Sequence, residues 1–164
     1  MSDQPAPEPA PESTPGGAST ATGTAAFQVT FDAGDPERLG SFWASALGYE
    51  TARPPEGFGS WPEFLDSIGV PEDKRDSAWA IVDPEGIKPR LFFQKVPEGK
   101  TAKNRVHLDI HATVGVEQEQ VDERREEAVQ RLESLGATRH DQLTEMGLTW
   151  VVMTDPEGNE FCVS

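Results

Sequence analysis

The tetrapeptide Asp-Pro-Glu-Gly occurs twice in this chain, at residues 83–86 and again at residues 155–158. Each copy separates two stretches of alternating apolar and polar residues, where Pro and Gly favour a turn between strands. A Leu-Gly pair also occurs twice, at residues 47–48 and 135–136, and each pair follows a stretch with helical periodicity. These matched signals predict a duplicated module with the element order βαβββ.

Module one is predicted over residues 26–97. Its first strand starts at Phe27 and has an apolar residue at every second position, as a strand with one buried face requires. Asp35 is expected to cap an amphipathic helix that starts at Pro36 and ends before Gly48. Two more strands are predicted at residues 77–82 and 90–96, after an insertion at 53–76 that contains a short helix and forms either a lid or a connection.

Module two is predicted over residues 103–164, with a strand at 105–111, a helix at 117–135 and strands at 137–142, 148–154 and 159–163. Apolar and polar residues alternate in its first strand, so they lie on opposite faces. The residues expected to face the helices are Val106, Leu108 and Ile110. The residues expected to face a cavity are His107, Asp109 and His111.

The first 25 residues consist almost wholly of Pro, Ala, Glu, Ser, Thr and Gly. A segment of this composition buries too little apolar surface to offset the entropy of ordering, so a disordered tail is predicted for residues 1–25. The remaining residues, 26–164, are predicted to form a single domain, because a chain of this length is short for two independent cores.

The formal net charge is −15, and most of the negative charge lies in the predicted folded part. Such a field repels nucleic acid, and it favours either solubility alone or a cationic or metal-bound ligand. Cys162 is the single cysteine, so no intramolecular disulfide is predicted, and it is expected to be a small buried residue rather than a nucleophile. No apolar run approaches the roughly 20 residues of a spanning helix, so we predict a cytoplasmic location and no membrane partner.

Three stretches of the sequence carry a family resemblance. They are Asp-Pro-Glu-Arg-Leu at 35–39 with Phe-Trp at 42–43 and Leu-Gly-Tyr at 47–49, Lys-Asn-Arg-Val-His-Leu-Asp at 103–109, and Trp-Val-Val-Met-Thr-Asp-Pro-Glu-Gly-Asn-Glu-Phe-Cys-Val at 150–163. With these stretches the chain resembles the glyoxalase-like branch of the glyoxalase/bleomycin-resistance superfamily, also called the vicinal oxygen chelate (VOC) superfamily. The resemblance implies an α+β fold, in which two βαβββ modules form a curled mixed sheet around a cavity with helices outside, and it implies a homodimer.

The resemblance also implies a set of metal positions, one on the first and one on the last strand of each module. The residues that fall at these positions are Gln28, Gln94, His107 and Cys162, with Glu160 as an alternative ligand. The implied cofactor is a divalent metal ion such as Ni, Zn, Mn or Fe. Without Glu160 the set contains no carboxylate, which makes it a poor site for a hard ion.

Metal-free chemistry is an alternative use of the same face. His107, oriented by Glu160 or Asp109, could move a proton alpha to a carbonyl group, so His107 and Glu160 are the predicted catalytic residues. The predicted ligand-contacting residues are Asp109, Trp150, Phe92 and Trp61.

Three functions remain open at the level of sequence. The first is a glyoxalase-like protein that binds a small molecule between its modules, with its reaction unassigned. The second is a divalent-metal-dependent lyase, isomerase or dioxygenase acting on vicinal oxygen atoms. The third is an antibiotic-sequestering protein that performs no chemistry.

Overall fold

A computed structural model of the protein describes residues 26–164, and the predicted tail at 1–25 lies outside the described residues. The strands are β1 (Val29–Ala33), β2 (Glu50–Thr51), β3 (Ala78–Val82), β4 (Leu91–Lys95), β5 (Thr138–Glu145), β6 (Leu148–Thr154) and β7 (Glu160–Val163). The α-helices are α1 (Pro36–Leu47), α2 (Trp61–Ser67) and α3 (Val121–Ser134), with single 3-10 turns at Glu72–Lys74 and Gln118–Gln120.

The strands form two sheets with the same order of elements. In module one the order is β1-β4-β3-β2, with β1 parallel to β4 and the other pairs antiparallel. In module two the order is β5-β6-β7, and Ile110 adds a parallel bridge to Val163 at the position that β1 takes in module one. The predicted α+β fold with two βαβββ modules is confirmed.

The two helices that open the modules begin differently from one another. Asp35 caps α1 as predicted, since its side chain accepts a hydrogen bond from the backbone N–H of Arg38 at 3.1 Å. Gly48 ends α1 in the left-handed conformation with φ 71°, which a glycine adopts without strain. The helix predicted from residue 117 begins at Val121, because a 3-10 turn precedes it.

The predicted strand at residues 105–111 is wrong except at its end. Ile110 donates its backbone N–H to the Cys162 carbonyl at 2.8 Å and accepts one from Ser164 at 3.0 Å, as in a parallel ladder. The ladder stops there, because the Cys162 N–H donates to the Asp109 carboxylate at 3.0 Å instead of to a backbone carbonyl. Leu108 and Ile110 pack against the core as expected, but Val106 is 80% exposed, so its predicted orientation is wrong.

One hydrophobic core contains residues of both modules. The Trp43 ring of α1 contacts Phe31 on β1 at 5.7 Å and Phe161 on β7 at 5.2 Å between ring centroids. Val129 and Leu132 bury the apolar face of α3 in the same cluster. Because both sheets turn one face toward this cluster, the alternate residues of each strand lie on a second, open face.

The two Asp-Pro-Glu-Gly turns make different contacts. Asp83 accepts hydrogen bonds from backbone N–H groups just after its own turn, those of Ile87 at 3.0 Å and Lys88 at 2.9 Å. Asp155 also accepts the indole N–H of Trp43 at 3.2 Å, so it joins the second turn to the first helix. Glu157 strengthens this link, because its carboxylate accepts the backbone N–H groups of Gly34 and Asp35 at 2.8 and 2.7 Å.

Candidate functional site

Module two brings three chemically active side chains together on its open face. His107 Nδ1 lies 2.8 Å from Asp109 Oδ1, and the same oxygen accepts the backbone N–H of Cys162. The ligand atoms of His107, Asp109 and Cys162 all lie within 4.8 Å of one another. Burial, reinforced by the negative charge of Asp109, raises the pKa of the Cys162 thiol, so the sulfur is protonated at neutral pH. The cluster therefore offers a positioned imidazole beside a carboxylate and a neutral thiol.

Glu160 lies on the same strand as Cys162 but is engaged elsewhere. Its Oε2 accepts a hydrogen bond from Lys100 Nζ at 2.9 Å and one from the backbone N–H of Asn104 at 3.0 Å. These contacts, the Lys100 hydrogen bond above all, lower its pKa from 4.5 to about 2. An ionised carboxylate held in this way anchors the linker between the modules, which contains Lys100 and Asn104. The catalytic role of Glu160 stays a prediction.

The anchoring role of Glu160 predicts a pH-dependent difference in stability. The folded-state pKa is depressed, so the stabilising contribution is complete above the unfolded-state value near 4.5 and is lost as pH falls from there toward about 2. We expect Glu160→Gln to lower the urea midpoint at pH 6, and the gap between variant and wild type to narrow below pH 4.5. Lys100→Met should behave like Glu160→Gln. A gap that stays constant from pH 6 to pH 3 would contradict the assignment.

The duplicated turns allow equivalent positions of the two modules to be matched. Counted back from Asp83 and Asp155, Ala80 and Val152 occupy the same place on their strands. Ala80 pairs with Phe92 across one hairpin, and Val152 pairs with Cys162 across the other. Phe92 is therefore the module-one equivalent of Cys162.

The first strands give the same alignment. Thr30 pairs with Phe92 on β1, as Asp109 lies beside Cys162 in module two. Gln28 is then equivalent to His107, as the sequence predicts. Gln94 pairs with Ala78, one step along the same face, so the register places Phe92 and not Gln94 at the fourth metal position. The longer first hairpin hid this shift from counting along the sequence.

The metal positions implied by the resemblance can now be compared with the residues present. Phe92 has no donor atom, and the Gln28 side-chain oxygen accepts a hydrogen bond from Arg90 Nη1 at 2.7 Å. The Arg90 guanidinium lies over the Phe92 ring, 5.1 Å from its centroid. A fixed cation beside Gln28 opposes a second cation at that place. The module-one positions therefore do not fit a metal ion. Among residues 26–164, the carboxylate, imidazole and thiol donors that lie close enough together to hold one are those of His107, Asp109 and Cys162.

The aromatic residues predicted to contact a ligand are placed differently from one another. Trp150 is half-buried on β6 and shares the open face with Val152. Trp61 begins α2 and donates its indole N–H to the Ala52 carbonyl at 2.8 Å, so it holds the insertion in place. Within residues 26–164, no hydrogen bond or ion pair connects Gln28, Gln94 or Trp61 to His107.

A cleft of about 590 Å³ lies between the modules at the linker. Its lining comprises Asp32 and Gly34 at the end of β1, residues 96–101, and Glu157 and Asn159 beside β7. Lys100 joins this cleft to Glu160. His107, Asp109 and Cys162 do not line the cleft, so the chemical cluster occupies a separate, open part of the face.

Two basic residues near these positions lie outside the set of predicted site residues. Alternation in the sequence places Arg90 on the same sheet face as Phe92 and Gln94, but its hydrogen bond to Gln28 required the structure. Lys100 lies in the linker, where no periodic signal marks it.

None of the helices in the described part of the chain is long and apolar enough to cross a membrane.

A duplicated βαβββ fold with polar residues on the open faces of its sheets defines a protein of the glyoxalase, bleomycin-resistance and dioxygenase class. The family model described as a glyoxalase-like domain matches residues 28–164. The chain belongs to this glyoxalase-like family. No curated protein matches it in sequence.

Solved structures agree on the fold. The glyoxalase/bleomycin resistance protein/dioxygenase family enzyme of Burkholderia phytofirmans is 17% identical, with a TM-score of 0.51, over 83% of this chain and 94% of that one. A mutant of the fosfomycin resistance protein FosX of Listeria monocytogenes, complexed with Mn(II) and a dihydroxypropylphosphonic acid, is 12% identical, with a TM-score of 0.52, over 88% of this chain and 90% of that one. The FosX protein of Mesorhizobium loti is 10% identical, with a TM-score of 0.51, over 88% and 92%. Identities this low establish the fold and leave the reaction open.

Proposed function

We propose that this protein binds a small organic molecule on its open face and transfers a proton on it, with His107 as the base. The observation that supports this proposal is the 2.8 Å contact between His107 Nδ1 and Asp109 Oδ1. An ionised carboxylate only accepts hydrogen bonds, so it favours the tautomer with the proton on Nδ1. The Nε2 atom then has a free lone pair with which to accept a proton from a ligand.

The backbone supports this arrangement from behind. The Cys162 N–H donates to Asp109, which fixes the carboxylate that in turn orients the imidazole. His107 and Asp109 both retain access to solvent, with side chains 39% and 37% exposed, so a ligand can reach them. The reaction class that these groups serve is removal of a proton alpha to a carbonyl, as in an isomerase or a lyase.

A second candidate rests on the same cluster. His107, Asp109 and Cys162 approach one another closely enough to hold one metal ion, and imidazole, carboxylate and thiolate together favour a borderline ion such as Zn. The loss of donors at the module-one positions weighs against this candidate. The Mn(II) in the FosX complex belongs to that protein, and at 12% identity it does not extend to this chain.

Proton exchange in D₂O tests both candidates in one experiment. Protein stripped with a chelator is incubated in D₂O with a panel of 2-hydroxy and 2-oxo compounds, and loss of the alpha-proton signal is followed by NMR. We expect exchange of at least one compound at a rate that added Zn, Ni, Mn or Fe leaves unchanged. If proton exchange occurs only after a metal is added, and the protein retains that metal in near-stoichiometric amount, the metal-free proposal is rejected in favour of the second candidate. A cationic drug that binds tightly and is recovered unmodified, without any exchange, would instead support sequestration.

A homodimer and a cytoplasmic location stay predictions.

A further inference from the structure

The basic residues of the described chain differ sharply in how they are paired. Those that are half-buried or buried are Arg75, Arg90, Arg125 and Arg139. Arg75 pairs with Asp66, Arg125 with Asp122 at 2.8 Å and Arg139 with Glu126 at 2.9 Å. Within residues 26–164, Arg90 alone of these four has no carboxylate within ion-pair distance.

The surroundings of Arg90 leave one edge of its guanidinium unused. Nη1 donates to Gln28, and the plane lies over the Phe92 ring. Among the described residues, neither Nε nor Nη2 has a hydrogen-bond acceptor. These two donors lie side by side on a rigid planar group, which matches the two oxygens of a carboxylate. Burial lowers the pKa of Arg90, yet an arginine remains charged at neutral pH, so the charge is present and partly desolvated.

We propose that Arg90, held by Gln28 and Phe92, is a binding site for the carboxylate of an organic acid. Gln28 and Phe92 fix the orientation of the fork before a ligand arrives, and the apolar ring provides a surface for the body of the ligand. The net charge of −15 repels anions at long range, so a preorganised local cation is needed to hold one. This site uses module-one residues only and does not depend on the proton transfer proposed for His107.

NMR titration of the Arg90 side chain tests the site. In ¹⁵N-labelled protein at 0.15 M salt, the Arg90 Nε–Hε signal is identified by its absence in Arg90→Gln, and benzoate, acetate and inorganic phosphate are added separately. We expect a saturable shift of this signal with benzoate. In all variants the dissociation constant for benzoate is taken from the backbone amide signals of Gln28 and Phe92, and it should rise about tenfold or more in Arg90→Gln. Arg53→Gln removes the same charge from an exposed residue that forms no ion pair within residues 26–164, and this variant should bind benzoate like the wild type.

Two further arms keep the outcome decisive. Arg90→Lys retains the charge without the planar fork, so we expect weaker benzoate binding even if the Gln variant fails to fold. His107→Ala should bind benzoate as the wild type does, which separates this site from the proposed proton transfer. Absence of a saturable shift with benzoate, or equal weakening by Arg53→Gln, would overturn the proposal. Saturation by phosphate without saturation by benzoate would overturn the assignment to a carboxylate.

Discussion

Replacing Asp155 with alanine is expected to lower the free energy of unfolding by about 3–5 kcal/mol, because one buried donor and several half-buried donors lose their acceptor together. Asp155 is 3% exposed, and its two oxygens accept the Trp43 indole N–H, the Asn159 side-chain amide and the backbone N–H groups of Glu157 and Asn159. A buried donor without a partner costs about 1–3 kcal/mol. Urea denaturation measures the loss, and an unchanged m-value would show that the native fold is retained.

The chain contains its own control for this prediction. Asp83 occupies the same place in the first Asp-Pro-Glu-Gly turn. The backbone N–H groups that donate hydrogen bonds to it belong to exposed residues, so water can replace Asp83 as their acceptor. Asp83→Ala should therefore destabilise the protein much less than Asp155→Ala. Trp43→Phe removes the N–H together with the five-membered ring and so has a cavity cost of its own, but the double variant should lose less than the sum of the two single losses, because both changes remove the same hydrogen bond. Equal losses for the two aspartate variants would show that Asp155 does not join the modules.

Replacing His107 with alanine is expected to reduce turnover about 10²–10⁴-fold, the usual contribution of a general base. The physical reason is that no other imidazole lies beside Asp109 in the described chain, so the proton has no acceptor of similar basicity at that place. The measurement is the initial rate of alpha-proton exchange in D₂O, with folding checked by circular dichroism. His140→Ala removes another exposed histidine, which contacts Thr154 on β6, and should leave the rate unchanged. A His107→Ala protein with full activity would remove His107 from the mechanism.

Asp109 acts through His107 and is expected to show a different kinetic signature. An amide at position 109 can donate its N–H₂ to Nδ1, which favours the wrong tautomer of the imidazole. Asp109→Asn should therefore lower kcat by about a hundredfold or more with little change in KM, since the ligand itself is still bound. A rise in KM alone would identify Asp109 as a ligand contact instead.

The alternation of residues along the strands predicts part of this site, and particular residues show which contacts it does not predict. Alternation placed His107 and Asp109 on one face of the chain, and the structure joins them by a hydrogen bond. The same alternation could not show that the Asp109 carboxylate would take the Cys162 N–H and so end the parallel ladder. That outcome depends on a competition between a side chain and a backbone carbonyl that only folded neighbours bring together.

The predicted metal positions in module one show the same limit of prediction from local pattern. Counting back from Asp35 gave Gln28 as the position that matches His107, and the face shared by Arg90, Phe92 and Gln94 gave Gln94 as the other position, whereas the register aligns Phe92 with Cys162. A period of two residues defines which residues share a face, and it does not define which of them lie opposite a given partner when a hairpin changes length. The error therefore lay in register and not in orientation.

The sequence by itself determined the duplicated βαβββ order, the capped first helix and, in the strands that form, which residues share a face. These features depend on backbone geometry over a few neighbouring residues, which local patterns record. Only the tertiary structure decided that Arg90 donates a hydrogen bond to Gln28, which lies 62 positions away in the sequence. The same holds for the hydrogen bond that Asp155 accepts from Trp43 across 112 positions. Contacts at such separations depend on how the two modules close around one core, and no local pattern encodes that closure.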